Sequence, residues 1–244
     1  MSKPFTFKKF TVHQDRCAMK IGTDGILLGA WISLTEKPER ILDIGTGTGV
    51  IAMQLAQRCS AQTIDAIEID ASAFEQCTDN FEASPWSERL FCYHAAIQEF
   101  ASEIENTYDL IISNPPFYSE NYKPEKKARD TARFNDALPF RQLVVCVAQL
   151  LTDQGVFALI LPKKEERDFI EIARESGLHP KRICRVRGTG NSEEKRSLLE
   201  FCFQPKVKQG KEKEIIIESL TIESARHNYT EDYIKLVKDF YLKM

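Results

Sequence analysis

The chain has 244 residues, of which 43% are hydrophobic, enough to form the core of one large domain. Its 33 basic and 36 acidic side chains leave a formal net charge of −3, which excludes a cationic coat over the whole surface but not local basic patches. No apolar run reaches the roughly 18 residues that a membrane helix needs, and residues 1–10 lack the apolar stretch of a signal peptide. We therefore expect a cytoplasmic protein without a membrane partner.

Strand-like and helix-like segments alternate along the chain. Apolar or β-rich runs predict the strands of the sheet at 40–44, 63–69, 90–94, 108–113, 155–161, 182–186 and 197–203, and a further strand is expected at 215–222. Apolar residues at helical spacing predict helices at 50–59, 71–83, 138–152, 164–176 and 231–242. The order predicts an α/β fold, a doubly wound and mostly parallel seven-stranded sheet with an antiparallel edge. We expect a single domain over 1–244, with an N-terminal extension at 1–35, a core at 36–205 and a C-terminal strand and helix at 206–244.

The positions of cysteine and histidine argue against a metal site. The seven cysteines include no C-x-x-C pair, and the four histidines show no ligand spacing. We therefore expect no bound metal, and reduced cysteines that fill small apolar spaces. The sequence makes no prediction of oligomeric state.

A glycine-rich loop, Gly45-Thr46-Gly47-Thr48-Gly49, lies between the first predicted strand and its helix. Glycines there let the backbone turn tightly and approach a ligand, and the helix N-terminus supplies free N–H donors. The spacing G-x-G-x-G differs from the G-x-G-x-x-G of dinucleotide-binding proteins, and Asp43 before it would repel a pyrophosphate. A carboxylate facing the loop would attract a cationic ligand, so the loop suits S-adenosylmethionine better than NAD.

An acidic residue ends the second strand of the core. Glu68 can accept hydrogen bonds from both hydroxyls of a ribose, and we prefer it to Asp70 because Ile67 and Ile69 place it in the strand-end pattern. The alternative is that the glycines only turn the chain and that Glu68 is a solvated edge residue. Strand, glycine loop, helix, strand and acid in this order favour the ligand site.

The motif Asn114-Pro115-Pro116-Phe117 follows the fourth strand of the core. The side-chain oxygen of Asn114 and the carbonyl of Pro115 can each accept one N–H of a planar amine, and Phe117 can stack on a planar substrate. Alone, the motif could be no more than a turn after a strand. In a doubly wound sheet, however, the first and fourth strands are neighbours, so the motif and the glycine loop should meet at one edge.

The two motifs together resemble those of class I S-adenosylmethionine-dependent methyltransferases, whose second motif, N-P-P-[YF], serves enzymes that methylate base amines or glutamine amides. A more extensive resemblance is to the bacterial tRNA1(Val) adenine-N6 methyltransferase family. It is carried by several segments along the chain: Asp15-Arg16-Cys17-Ala18-Met19-Lys20, Gly22 to Trp31, Ser84-Pro85-Trp86, Ala132-Arg133 and the residues from Asn228 to Leu242. The resemblance implies N6-methylation of the adenosine beside the anticodon of a valine tRNA.

The chain departs from this family at two positions. The family usually has an Asp near the cofactor adenine after the third strand, where this chain has Ala96, followed by Ile97. We keep Ala96 and Ile97 as cofactor-lining positions, with backbone, water or Gln98 as substitutes for the carboxylate. Phe117 replaces the more common Tyr, which preserves stacking.

The segment Thr23-Asp24-Gly25 opens an apolar stretch. It is either simply the N-terminal cap of an apolar helix or, as the resemblance implies, the place where Asp24 or Lys20 lies near the methionine end of the cofactor. We retain both interpretations.

Because the net charge is negative, attraction to tRNA phosphates must be local. The loop after the N-P-P-F motif carries five basic residues, which we predict to contact the RNA: Lys123, Lys126, Lys127, Arg129 and Arg133. For the basic cluster at 181–187, a solvated surface is at least as good an explanation.

The leading hypothesis is a tRNA adenosine N6-methyltransferase. A protein glutamine amide or a DNA adenine is an alternative substrate for an N-P-P-type enzyme. A third possibility is an inactive cofactor-binding module, for which Ala96 is the only support. An NAD-dependent oxidoreductase fits poorly, because the glycine spacing is wrong for it.

Overall fold

The computed structural model describes residues 3–34, 37–115, 140–203 and 214–244. Within these ranges a nine-stranded sheet is covered by helices on both faces, and a small two-stranded hairpin lies beside it. The strands are β1 (Phe5–Thr6), β2 (Thr11–Val12), β3 (Arg40–Ile44), β4 (Thr63–Glu68), β5 (Leu90–His94), β6 (Tyr108–Ser113), β7 (Leu151–Pro162), β8 (Leu178–Thr189), β9 (Glu194–Phe203), β10 (Ile216–Ala225) and β11 (Asn228–Tyr229). The helices are α1 (Thr23–Trp31), α2 (Val50–Arg58), α3 (Ala71–Glu82), α4 (Ile97–Glu103), α5 (Phe140–Leu150), α6 (Glu166–Glu175) and α7 (Glu231–Val237).

The large sheet has the strand order β11-β10-β8-β9-β7-β6-β3-β4-β5. Strands β3 to β7 are parallel to one another, whereas β9 runs antiparallel to both of its neighbours, β7 and β8. The doubly wound α/β class is therefore confirmed. The described sheet has nine strands instead of seven because β10 pairs in parallel with β8 and β11 folds back on β10. The antiparallel strand β9 is internal, because it lies between β7 and β8.

Two hydrophobic cores lie on opposite faces of the sheet. One contains apolar side chains of α1, α2, α3 and α7, and the other those of α4, α5 and α6. The continuous apolar run of β7 is explained by this arrangement, because both of its faces are covered. None of the described helices is both long and apolar enough to cross a membrane.

Most predicted elements are confirmed within one or two residues, and the differences have local causes. The short helix α4 was not predicted, because only Ile97 and Phe100 carry its buried face. The C-terminal helix ends at Val237 and not at 242. The chain turns after Val237, and the carbonyl of Phe240 accepts the N–H of Lys8 at 2.8 Å. Strand β8 begins at Leu178, four residues before the prediction, and pairs there with Phe203.

The N-terminal extension is fixed to the core. Phe7 and Phe10 are buried and stack with ring centroids 4.5 Å apart, and Phe7 also contacts the ring of Tyr241.

All seven cysteines lie in the described ranges as free thiols. In those ranges no cluster of three or more His, Cys, Asp or Glu could hold a metal ion.

Candidate active site at the carboxyl edge of the sheet

The glycine loop joins β3 to α2, and its three glycines have distinct surroundings. All three have positive φ values, 69° at Gly45, 56° at Gly47 and 80° at Gly49. Residues other than glycine rarely adopt this backbone region. A Cβ at Gly45 or Gly47 would meet no atom within 4 Å, whereas one at Gly49 would lie 2.5 Å from the ring of Phe81. The first two glycines therefore leave an open cradle, and the third allows α3 to pack closely.

The backbone of the loop is held to the neighbouring strand. The N–H groups of Gly45 and Thr46 donate to the carbonyl of Ile67 at 2.9 and 3.1 Å. The carboxylate of Asp43 lies beneath the loop, completely buried, and accepts the hydroxyl of Thr46 at 2.7 Å. Burial raises the pKa of Asp43 to about 7, although the Thr46 hydroxyl opposes the shift. Asp43 thus holds the loop through Thr46, and a pKa of about 7 leaves its carboxyl partly protonated at neutral pH.

The carboxylate of Glu68 faces the loop at the end of β4. Its Oε2 accepts the N–H of Gly47 at 2.8 Å, and its Oε1 accepts the N–H groups of Ile69 and Asp70 at 2.8 and 2.9 Å. The side chain of Asp70 instead caps α3 by accepting the N–H of Ala73 at 2.8 Å. Asp70 therefore serves as the cap of α3, whereas the carboxylate of Glu68 faces the glycine loop.

Ile69 is a candidate that the sequence analysis missed. It follows Glu68 directly and is 56% exposed, so it offers an apolar surface beside the proposed ribose position. The available signal was an isoleucine directly after the acid that ends the strand. Ile69 instead falls within the predicted strand 63–69, where an apolar residue is ordinary. An exposed apolar side chain here suits the face of a planar base.

The positions predicted to line the cofactor after the third core strand lie at the start of α4. The N–H of Ala95 donates to the carbonyl of Glu68 at 3.2 Å, so this turn is tied to the end of β4. Ala96 is the residue before α4 and Ile97 is buried. The side chain of Gln98 donates to Gln142 of α5 at 2.8 Å, which directs it toward that helix.

Asn114 directly follows β6, the strand that pairs with β3 beside the glycine loop. Strands β3 and β6 pair in register, with Ile44 opposite Ser113, and the Ser113 hydroxyl donates to the carbonyl of Ile44 at 3.0 Å. Asn114 is half-buried, and Pro115 is buried behind it. The predicted adjacency of the first and fourth core strands is confirmed. Pro116 and Phe117 lie outside the described residues, as do the predicted RNA contacts Lys123, Lys126, Lys127, Arg129 and Arg133.

The N-terminus of α1 reaches the same edge. A Cβ at Gly25 would lie 3.8 Å from Nδ2 of Asn114 and 3.6 Å from Val50, so this turn packs between the N-P-P-F motif and α2. The helix is capped by Gly22 without a side-chain hydrogen bond, and its first N–H groups suit an anion such as a carboxylate. Asp24 pairs with Arg196 of β9 at 2.7 Å, and Lys20 donates to the carbonyl of Gln14 at 2.9 Å.

These features form one edge: an open glycine cradle, a carboxylate beside it and an amide on the neighbouring strand. The family model "Methyltransferase small domain" matches residues 24–133 of the chain. A tRNA1(Val) (adenine(37)-N6)-methyltransferase of Christiangramia forsetii is 56% identical over 245 residues, covering 100% of this chain and 99% of the relative. One of Flavobacterium psychrophilum is 55% identical over 240 residues, covering 98% and 100%.

The chain belongs to the tRNA1(Val) (adenine(37)-N6)-methyltransferase family. It is therefore a methyltransferase, and S-adenosylmethionine is the cofactor that this membership implies. The cradle at Gly45 and Gly47 and the carboxylate of Glu68 fit that cofactor. They combine open space with a carboxylate that can accept ribose hydroxyls, and none of these three residues is a cation that would bind a phosphate.

Solved structures agree with this fold. A predicted O-methyltransferase from Agrobacterium tumefaciens has a TM-score of 0.67 at 17% identity, covering 89% of this chain and 96% of that chain. A putative class I S-adenosylmethionine-dependent methyltransferase from Listeria monocytogenes has a TM-score of 0.54 at 16% identity, covering 81% and 62%. At these identities the likeness concerns the fold alone, which is that of class I methyltransferases.

Proposed function

We propose that this family member methylates N6 of an adenosine in tRNA, at the position beside the anticodon of a valine tRNA. The observation that carries methyl transfer to an amine is the pairing of β3 with β6, which brings the glycine loop and Asn114 to adjacent strand ends. The curated relatives, matched over their whole length, support tRNA adenosine as the substrate. When bound, S-adenosylmethionine supplies a methyl group on a sulfonium that is already a good leaving group.

The chain's own residues have to hold the amine in line with that methyl group. We assign the side-chain oxygen of Asn114 and the carbonyl of Pro115 to the two N–H groups of N6. Two acceptors favour the tetrahedral nitrogen whose lone pair forms the new N–CH₃ bond while the C–S bond breaks. The proton then leaves N6 easily from the methylated cation, so no strong base is needed. Phe117 is predicted to stack on the adenine.

On the cofactor side, Glu68 is assigned to the ribose hydroxyls. Its carboxylate is fixed by backbone N–H groups of Gly47, Ile69 and Asp70, so little ordering is required on binding. The N-terminus of α1, which has no side-chain cap hydrogen bond, is assigned to the methionine carboxylate, and Lys20 and Asp24 are candidates beside it. The adenosine must present its N6 at the edge, which favours a base flipped out of the anticodon loop.

The test is methyl transfer from labelled S-adenosylmethionine to unmodified bacterial RNA, followed by nucleoside analysis. We expect N6-methyladenosine in a tRNA fraction, and its position is then mapped with a valine tRNA whose target adenosine is replaced by guanosine. Label in protein would move the assignment to a glutamine amide. Cofactor binding without transfer to either would favour the inactive module.

A further inference from the structure

One buried amide connects the N-terminal extension to the glycine loop. Asn80 of α3 is fully buried, and its Oδ1 accepts the N–H of His13 at 2.8 Å. Its Nδ2 donates to the carbonyl of His13 and to the carbonyl of Thr48, both at 2.9 Å. Thr48 precedes Gly49, the residue that caps α2. A single side chain therefore holds two backbone segments that are 35 residues apart in sequence.

The helix turn before Asn80 holds the same extension. Gln76, also buried, accepts the N–H of Arg16 at 3.0 Å. The guanidinium of Arg16 forms ion pairs with the exposed carboxylates of Glu75 and Asp79. Positions 76 and 80, four residues apart, thus present two buried amides on one face of α3 to the backbone of residues 13–16.

We call residues 13–22 the strap. The strap contacts α3 at residues 13–16 and then runs along the carboxyl edge of the sheet that carries the candidate site. The strap is closed on itself, because Gln14 Oε1 accepts the N–H of Ile21 at 3.0 Å. Within it the thiol of Cys17 is buried, and burial with the nearby Glu68 and Asp70 carboxylates raises its pKa to about 11. The strap therefore passes the ribose acceptor before it leads into α1, which packs against Asn114.

We propose that Asn80 is a positioning residue that couples docking of the strap to cofactor affinity. Its two donors hold Thr48 and the strap in one arrangement, so undocking of the strap would release the Thr48 end of the glycine loop, although Gly45 and Thr46 stay bonded to β4. Buried amides so fully used are costly to disturb, because each lost partner leaves a buried polar group unsatisfied. This inference rests on the proposed use of S-adenosylmethionine at this edge.

The first experiment measures S-adenosylmethionine binding without RNA for the wild type and for Asn80→Asp, which keeps the volume and the acceptor but removes both donors. We expect the Kd to rise roughly tenfold or more, while kcat at saturating cofactor stays within about twofold of the wild type. An unchanged Kd in a folded variant, or a lowered kcat at an unchanged Kd, overturns the proposal. A wild type that does not bind the cofactor would instead contradict the proposed function.

Gln76→Met is the matched variant, because Gln76 contacts the strap and not the glycine loop. It should also raise the Kd, by a smaller factor than Asn80→Asp. A wild-type Kd would show that Asn80 acts on the loop alone and would overturn the coupling to the strap. If Asn80→Asp does not fold, trypsin cleavage of the wild type after Arg16 and Lys20 provides the second measurement. We expect S-adenosylhomocysteine to slow this cleavage at least about threefold, and no protection would overturn the coupling.

Discussion

The position of Asn114 depends both on the strand that it follows and on segments that are distant in the sequence. Its amide lies at the end of β6 beside Gly25, and the strand pairing places it next to the glycine loop. The substitution Asn114→Ala should lower turnover on the order of a hundredfold, because the amine loses one of its two acceptors and its orientation. Cofactor affinity should change less than about twofold, since Asn114 is not assigned to the cofactor.

Single-turnover kinetics and cofactor titration check this prediction separately. Asn114→Asp serves as the comparison, because it keeps one acceptor oxygen in the same place and should retain more turnover than alanine. Wild-type turnover in Asn114→Ala would exclude the positioning role.

Asp43 makes the stability of the protein depend on pH. Its pKa is raised by burial to about 7 in the folded chain, above the usual value near 3.8. Between these two values the folded state retains a proton that the unfolded state has released. The contribution of Asp43 to the free energy of unfolding therefore falls as pH rises from about 4 to about 7, by a few kcal/mol at most.

Asp43→Asn removes this dependence. The difference in the free energy of unfolding between the variant and the wild type should favour the variant increasingly from pH 5 to pH 8. Urea unfolding at both values measures it, and other groups such as Glu166 cancel in the difference. A difference that does not change with pH would contradict the raised pKa.

At the scale of elements, the glycine loop depends on what lies behind each glycine. Alanine at Gly47 and at Gly49 has the same cost of positive φ, about 1–2 kcal/mol. Only at Gly49 does the Cβ also meet Phe81 at 2.5 Å and the sulfur of Cys77 at 2.9 Å. Gly49→Ala should therefore be less stable than Gly47→Ala by about 1–3 kcal/mol.

The order of the two variants should reverse for cofactor binding: Gly47→Ala should be the more stable variant but should bind the cofactor more weakly. Gly47→Ala places its Cβ in the open cradle, so its cofactor affinity should fall although the fold is kept. Thermal unfolding and cofactor titration of the pair provide the test. Equal melting temperatures would mean that α3 does not constrain the loop.

At the scale of the whole molecule, the two ends of the chain close against each other. The ammonium of Lys8 donates to the carbonyls of Lys238 and Met244 at 2.5 and 3.0 Å, and Phe240 is buried in the same core as Phe7. Phe240→Ala should lower the free energy of unfolding by about 3–5 kcal/mol, the usual cost of removing a buried ring.

Leu242→Ala is the control for this prediction. Leu242 is 57% exposed two residues further on, so its removal should change the free energy of unfolding by less than about 0.5 kcal/mol. Equal effects of the two variants in urea unfolding would show that the C-terminal closure does not stabilise the fold.

The sequence by itself determined the parts that local pattern encodes. Apolar periodicity predicted α2 and α3, and the glycine spacing with Asp43 predicted a turn whose positive φ values only glycine adopts easily. The order of elements then predicted that the strands carrying the glycine loop and Asn114 are neighbours, because connections in doubly wound sheets follow strict rules.

Only the tertiary structure decided how distant segments share one site. Glu68 faces Gly47 while Asp70 caps α3, although both acids follow the same strand. Asn80 holds His13 and Thr48, and Lys8 meets the C-terminus, with no pattern in the sequence to indicate either contact. Side-chain periodicity reports which face of an element is buried, whereas these contacts join segments far apart in the chain and depend on how the faces meet.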